Sequence, residues 1–310
     1  RILIAILNLI LSRFSGLRAV TKTAISYPMA AKFRTGLTVA MFGLIIFTLM
    51  IFSVLNGIQD VTTEQPQRVT GGYDIKATIT PDLPITGDVR ASLNMSDFEV
   101  VSGASNVRVE VKEFEGENNT YKGAKLVSLE DEFLDSTLWA MAHFDPKYGS
   151  TDREIWQALM SDETLVVANA TIIPSGDPFG PPDRSFKTSF IESGDLKPMD
   201  SFSIEMKKRR SSSNPTQLTV IGVIERLASG TGFGVSGATF YSPLSLGSKI
   251  AQEDVPLDTF YFSLKDKSDA SNYSQKLEKI FLANGMNAVS LLDQLEEERA
   301  TSNAFNKLFQ

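Results

Sequence analysis

The chain has 310 residues, 30 basic and 37 acidic side chains, one His and no Cys. Without Cys there can be no disulfide, thiolate nucleophile, iron–sulfur cluster or Cys-ligated zinc, while 42% apolar and 22% charged residues are ordinary for a soluble protein. The charge is unevenly placed: residues 1–59 hold Arg1, Arg13, Arg18, Lys22, Lys32 and Arg34 and no acid, leaving 24 basic and 37 acidic groups, a net of −13, for residues 60–310. A nucleic-acid partner needs a basic face for its phosphates, so the acidic remainder argues against one.

Ile2–Leu11 (ILIAILNLIL) is apolar but too short to cross a bilayer. Residues 1–12 read as the tail of a truncated spanning helix, with an interfacial helix as the alternative. Residues 13–35 form a connector with Arg13, Arg18, Lys22, Lys32 and Arg34 and no acid, the mark of a cytoplasmic loop. Within it Ala19–Phe33 is mildly amphipathic, and Pro28, just after Tyr27, predicts two short helices or a kink along the inner membrane surface. Arg13, Arg18, Lys22, Tyr27, Pro28, Lys32 and Arg34 are the candidate surface for a cytoplasmic partner. Gly36–Leu55 (GLTVAMFGLIIFTLMIFSVL) is 20 residues without a charge, enough to span about 30 Å of hydrocarbon. A transmembrane helix is therefore predicted over 36–56, and residues from about 57 onward are expected outside the cytoplasm, in a multi-pass membrane protein.

The remainder reads as a mixed α+β domain. Strands are predicted at Tyr73–Thr80, Val107–Phe114, Lys125–Leu129, Leu165–Ala168, Leu218–Glu225 and Phe260–Lys265 from period-2 or short apolar patterns. Thr151–Met160 reads as a helix capped by Thr151 or Asp152, with Ile155, Trp156 and Leu159 on one face. A second helix is expected over 270–283, capped by Ser268 or Asp269, with Leu277, Ile280 and Phe281 inward and Gly285 as its stop. With the strand before it and Met286–Leu291 after it, this makes a βαβ unit with a right-handed crossover. Pro174–Pro182 and Lys207–Pro215 are expected loops, and residues 293–310 a helix leading to a further spanning segment.

Signals for chemistry are weak. Gly232–Gly237 matches GxGxxG, yet the preceding strand ends near Glu225 and Ala238–Ser242 looks extended, so a Gly-rich hairpin is expected in place of a dinucleotide site. His143 is the lone His and has no metal-binding or catalytic companion. Glu296, Glu297 and Glu298 are consecutive, point in different directions on a helix and read as a solvated face. Four Asn-x-Ser/Thr sequons, at Asn94, Asn118, Asn169 and Asn272, lie in the part expected outside; about two would arise by chance, and so small an excess is uninformative. No Walker A pattern is present. No catalytic residue, metal ligand or cofactor is expected.

Phe33-Arg34-Thr35-Gly36-Leu37-Thr38 before the apolar run, Gly71-Gly72-Tyr73-Asp74-Ile75, Val220-Ile221-Gly222-Val223-Ile224 and Asn303–Gln310 resemble segments of FtsX-like (MacB-type) ABC transporter permeases with a periplasmic core domain. The resemblance implies a core domain over 57–292, with one lobe at about 60–128 plus 255–292 and an inserted lobe at about 129–254. It also implies a separate cytoplasmic ATP-binding subunit, a second permease half supplied by a homodimer or a fused pseudo-dimer, and ATP-driven motion that exports or extracts lipids, lipoproteins, peptides or drugs. The alternative is a membrane-anchored sensor or receptor ectodomain coupled to a cytoplasmic signalling partner.

Overall fold

The computed structural model describes residues 32–64, 66–174, 185–192, 198–212, 214–225, 237–297 and 300. The predicted helix over 1–12 and the connector through residue 31 lie outside them, as do the closing residues 301–310. The chain divides into two units, Arg1–Val61 and Thr62–Gln310.

In the first unit, the apolar run folds as α1 (Lys32–Glu64), 33 residues without a proline and so about 50 Å long. The helix does not end with the apolar run but continues past it. Phe33–Ile51 is long and apolar enough to cross a membrane, and none of it is buried. Large apolar side chains, among them Leu37, Phe42, Ile46, Phe47 and Met50, are exposed on every side, a pattern suited to hydrocarbon and not to water. The hydroxyls of Thr38 and Thr48 donate to the carbonyls of Arg34 (2.9 Å) and Leu44 (2.8 Å), so they need no water inside an apolar solvent.

The second unit opens with α2 (Pro66–Thr70) and is built on ten strands in one mixed sheet. They are β1 (Ile75–Thr78), β2 (Phe98–Glu113), β3 (Lys122–Leu129), β4 (Met141–Phe144) and β5 (Leu165–Asn169). They continue with β6 (Phe202–Lys208), β7 (Thr216–Ile224), β8 (Ala238–Pro243), β9 (Thr259–Leu264) and β10 (Asn287–Ser290). Four helices pack on them: α3 (Asp131–Ser136), α4 (Asp152–Ser161), α5 (Leu244–Ala251) and α6 (Ala270–Ile280). A last helical stretch covers 291–297.

Pairing closes six of the strands into a ring. β2 bonds β3, β3 bonds β8, β8 bonds β5, β5 bonds β7, β7 bonds β6, and β6 returns to β2. Alternation makes this closure possible: Val107, Val109 and Val111 on β2, and Phe202, Ile204 and Met206 on β6, share one buried core with Leu126, Val220 and Phe240. Side chains of opposite parity on several of the same strands, such as Val127, Val167 and Tyr241, join a second core with α3 and α4.

β2 runs 16 residues because it serves two neighbourhoods. Its first half pairs with β9, and its second half belongs to the ring. β1 lies between β9 and β10 and is antiparallel to both, so β9 and β10 are parallel and α6 joins them across β1. The predicted βαβ unit is therefore present with a strand inserted in it. On α6 the buried stripe is Ala270, Ser274 and Leu277, followed by Phe281. Ile280 lies off this line and is 51% exposed, which corrects the expectation that it faces inward. Gly285 ends the segment at φ 60°, as its position predicts.

Lys207 and Lys208, expected in a loop, close β6. Lys207 lies across from Glu110 on β2 at 3.7 Å, and Lys208 meets Glu253, just past α5, at 2.7 Å, so a cross-strand partner and a loop carboxylate hold extended a stretch whose charge suggested a turn. The expected cap Thr151 accepts from the backbone N of Glu154 at 3.3 Å. The sequon at Asn169 is fully buried. Its side-chain oxygen accepts from Thr239 N (3.0 Å) and Thr171 Oγ1 (2.6 Å), so it holds β5 to β8 and offers no glycan acceptor.

Candidate functional site

Among the described residues, the second unit brings its incoming chain against the chain leaving β10 at residues 66–74. α2 begins at Pro66, a residue suited to a first helical turn. It is stopped by Gly71 and Gly72, at φ 72° and 87°, where L side chains are strained. Gly72 N donates to Gln67 O at 2.9 Å, which turns the last carbonyls inward. Gly71 is also required by space, since a Cβ there would lie 2.9 Å from Trp139 Nε1.

Trp139 holds this turn. Its Nε1 donates to Val69 O at 3.2 Å, and the preceding Leu138 N donates to Gly71 O at 2.9 Å. Its ring lies 5.2 Å from Phe133, 5.6 Å from Tyr241 and 6.2 Å from Trp156. Trp156 Nε1 in turn donates to Trp139 O at 3.0 Å. Tyr73 stacks on Phe133 at 5.0 Å and shares a 2.8 Å hydrogen bond with Ser136 Oγ. Burial holds the Tyr73 hydroxyl well above the usual phenol range, so it stays neutral. On the surface Arg68 pairs with Glu225 at 3.0 Å, and Glu225 N donates to Ala140 O at 2.9 Å.

The outgoing chain meets the incoming one at Asp74. Leu291 N, at the end of β10, donates to Asp74 O at 2.8 Å, and Asp74 N donates to Phe262 O at 2.9 Å. The buried Asp74 carboxylate accepts from Leu264 N at 2.7 Å. Burial pushes its pKa up, and the Leu264 bond opposes part of that rise. Beyond Leu291, Ser290 Oγ accepts from Asp293 N at 3.3 Å and Leu295 is buried, so the closing helix is tied to the same core edge.

No family model matches the sequence, and no curated protein sequence matches it. Solved structures do. The periplasmic region of MacB from Actinobacillus actinomycetemcomitans aligns with a TM-score of 0.42 at 10% identity, covering 75% of this chain and 95% of that one. The extracellular domain of the noncanonic ABC-type transporter YknZ from Gram-positive bacteria aligns at 0.38 and 10% identity, covering 70% and 99%. The likeness is one of fold.

Of the sequence-predicted site residues, the structure describes only the last two, Lys32 and Arg34. Arg13, Arg18, Lys22, Tyr27 and Pro28 lie outside the described residues, Lys32 starts α1, and Arg34 stands exposed in its first turn. His143 lies on β4 opposite Val223, and of the glycine motif only Gly237 is described, at φ 118°. Among the described residues no group of His, Asp and Glu is arranged to hold a metal ion. Sequence reasoning marked the Gly71–Ile75 motif but missed Trp139, Glu225 and Leu291. Only one signal could have found Trp139: the chain's two tryptophans lie 17 residues apart and both fall in this cluster.

Proposed function

We propose that the chain is the membrane permease subunit of an ABC transporter, passing ATP-driven motion from a separate cytoplasmic ATPase into an extracytoplasmic domain to export or extract lipids, lipoproteins, peptides or drugs. The basic residues Arg13–Arg34 support a cytoplasmic position for that segment under the positive-inside rule, with the domain after α1 outside. The observation that carries the reading is the junction at residues 66–74. The segment following α1 is held by a short helix, a glycine turn, an indole donor and an ion pair, and the outgoing chain is hydrogen-bonded to the same segment at Asp74, just before β1. A displacement applied there reaches β1, β9 and β10 through backbone bonds instead of dissipating in a free linker.

The basic segment would dock on the ATPase, and a second permease half, from another copy or a fused one, would complete the membrane part. Purification of the chain from its native cell tests this. An ATP-binding protein is expected to co-purify, and distances between labels on the second unit and on α1 are expected to change with ATP. Loss of the partner on replacing Arg13, Arg18 and Lys22 by Ala, with the melting temperature of the domain unchanged, would locate the dock. Absence of any ATPase together with distances indifferent to nucleotide would overturn the reading.

A further inference from the structure

On the outer side of the ring β1, β2, β3, β8 and the start of β9 border a groove of about 1350 Å³ that gathers Lys76, Arg108, Lys125 and Arg209 around one acid, Asp258. This is four cations against one carboxylate within a segment whose net charge is −13. All four cations are exposed, and among the described residues none makes an ion pair. Asp258 is already engaged by neutral groups, accepting from Asn106 Nδ2 and from Thr259 Oγ1.

The strand register sharpens the point. Along the same face of β2, Lys112 lies opposite Glu205 and Glu110 opposite Lys207, with ion pairs of 3.0 and 3.7 Å. One step further along that face Arg108 lies directly opposite Lys125, a like-charge pair of the kind that destabilises a sheet. Crowding by the groove walls pushes Lys76 and Lys125 below the usual lysine range, and each feels the charge of Asp258 while Lys125 also feels Lys76. Arg210, just past Arg209, is held at φ 59°, a conformation a non-glycine residue adopts at a cost. A strand that matches charges elsewhere and sets them against each other here is not arranged for stability alone.

We propose that this groove binds a phosphate ester carrying at least two negative charges, with Lys125 and Arg108 as its central pair and Lys76 and Arg209 at its flanks. Arginine forks and lysine point charges together suit phosphate oxygens, and Thr78 and Thr239 border the floor with hydroxyls. The inference is independent of whether an ATPase drives the protein. The phosphate could come from a lipid headgroup or from a soluble ester, and the test separates the two.

Titration calorimetry on the whole chain in a neutral detergent at low salt would use inorganic pyrophosphate and, separately, dihexanoyl phosphatidic acid. Binding is expected to weaken at least ~10-fold in the double variant Arg108→Ala/Lys125→Ala, and to stay within about twofold in the charge-matched control Lys249→Ala/Lys279→Ala. Tighter binding of the lipid assigns the source to a headgroup, and tighter binding of pyrophosphate assigns it to a soluble ester; either order supports the proposal. Without ligand the double variant should melt at or above wild type, by ~1–2 °C, because the like-charge pair is gone. Failure of both probes to bind, binding equally weakened in the control, or a lower melting temperature for the unliganded double variant would each overturn it.

Discussion

Asp74 carries two of the bonds that tie the incoming chain to the sheet, one through its carbonyl and one through its carboxylate. Asp74→Ala leaves Leu264 N buried with no acceptor, so a loss of about 1–3 kcal/mol is expected. Asp74→Asn keeps an oxygen in that place and removes a buried charge, so it should fall within ~1 kcal/mol of wild type at neutral pH. The folded carboxyl has a raised pKa, so protonation favours the folded state. Its contribution is complete below the ordinary carboxylate value and declines as pH climbs through the raised folded value. Denaturant titrations of wild type and Asp74→Asn from pH 3 upward should therefore diverge across that interval, with wild type losing ground on the alkaline side. Parallel curves would show that the carboxylate pays nothing for its burial.

At the scale of elements, two contacts decide how helices sit. Trp139→Phe keeps an aromatic ring in the cluster but removes the donor to Val69 O, with an expected cost of about 0.5–1.5 kcal/mol. Amide exchange should quicken at residues 66–72 and stay unchanged in the ring strands; uniform quickening would mean the bond serves the whole domain. On α5, Gly247 lies against β3 so closely that a Cβ would come 2.3 Å from Ser128 Oγ. In an open helix Gly→Ala gains up to about 1 kcal/mol; here Gly247→Ala should lose about 1–3 kcal/mol by overpacking. Adding Ser128→Ala, which removes the nearest atom, should return part of the loss, and a double-mutant cycle measures how much. Elements of this kind mark what sequence could and could not show. The apolar helix, α4, α6 and strands such as β5 and β9 were legible because each satisfies a local period. The first half of β2, the charged end of β6 and the short α3 and α5 were not, because distant partners hold them: β9 for the first, Glu110 and Glu253 for the second, the two buried cores for the helices. The junction was half legible. Two adjacent glycines signal a tight turn, but that an indole 70 residues away fills the space they leave is a fact of tertiary packing.

At the scale of the whole molecule the governing feature is charge. Six cations and no acid precede Asp60, and a net of −13 follows from it onward. Arg13, Arg18 and Lys22 precede the one described helix able to cross a membrane, and Lys32 and Arg34 stand in its first turn; positive residues near a span are the ones retained in the cytoplasm. The Cys-free chain makes this orientation directly measurable, because a single introduced thiol has no competitor. Asp254 is exposed in the second unit, and Asp254→Cys is expected to react with a membrane-impermeant maleimide on intact cells. Ser15→Cys, within the basic segment, should react only after lysis. Replacing Arg13, Arg18, Lys22, Lys32 and Arg34 together by Gln removes the retention signal while leaving the hydrophobic length of the helix intact. The labelled fraction at residue 254 should then fall as that at residue 15 rises in the same cells. If labelling of Asp254→Cys required lysis in the unaltered background, the domain would lie on the cytoplasmic side and the transmission of motion outward would have no path.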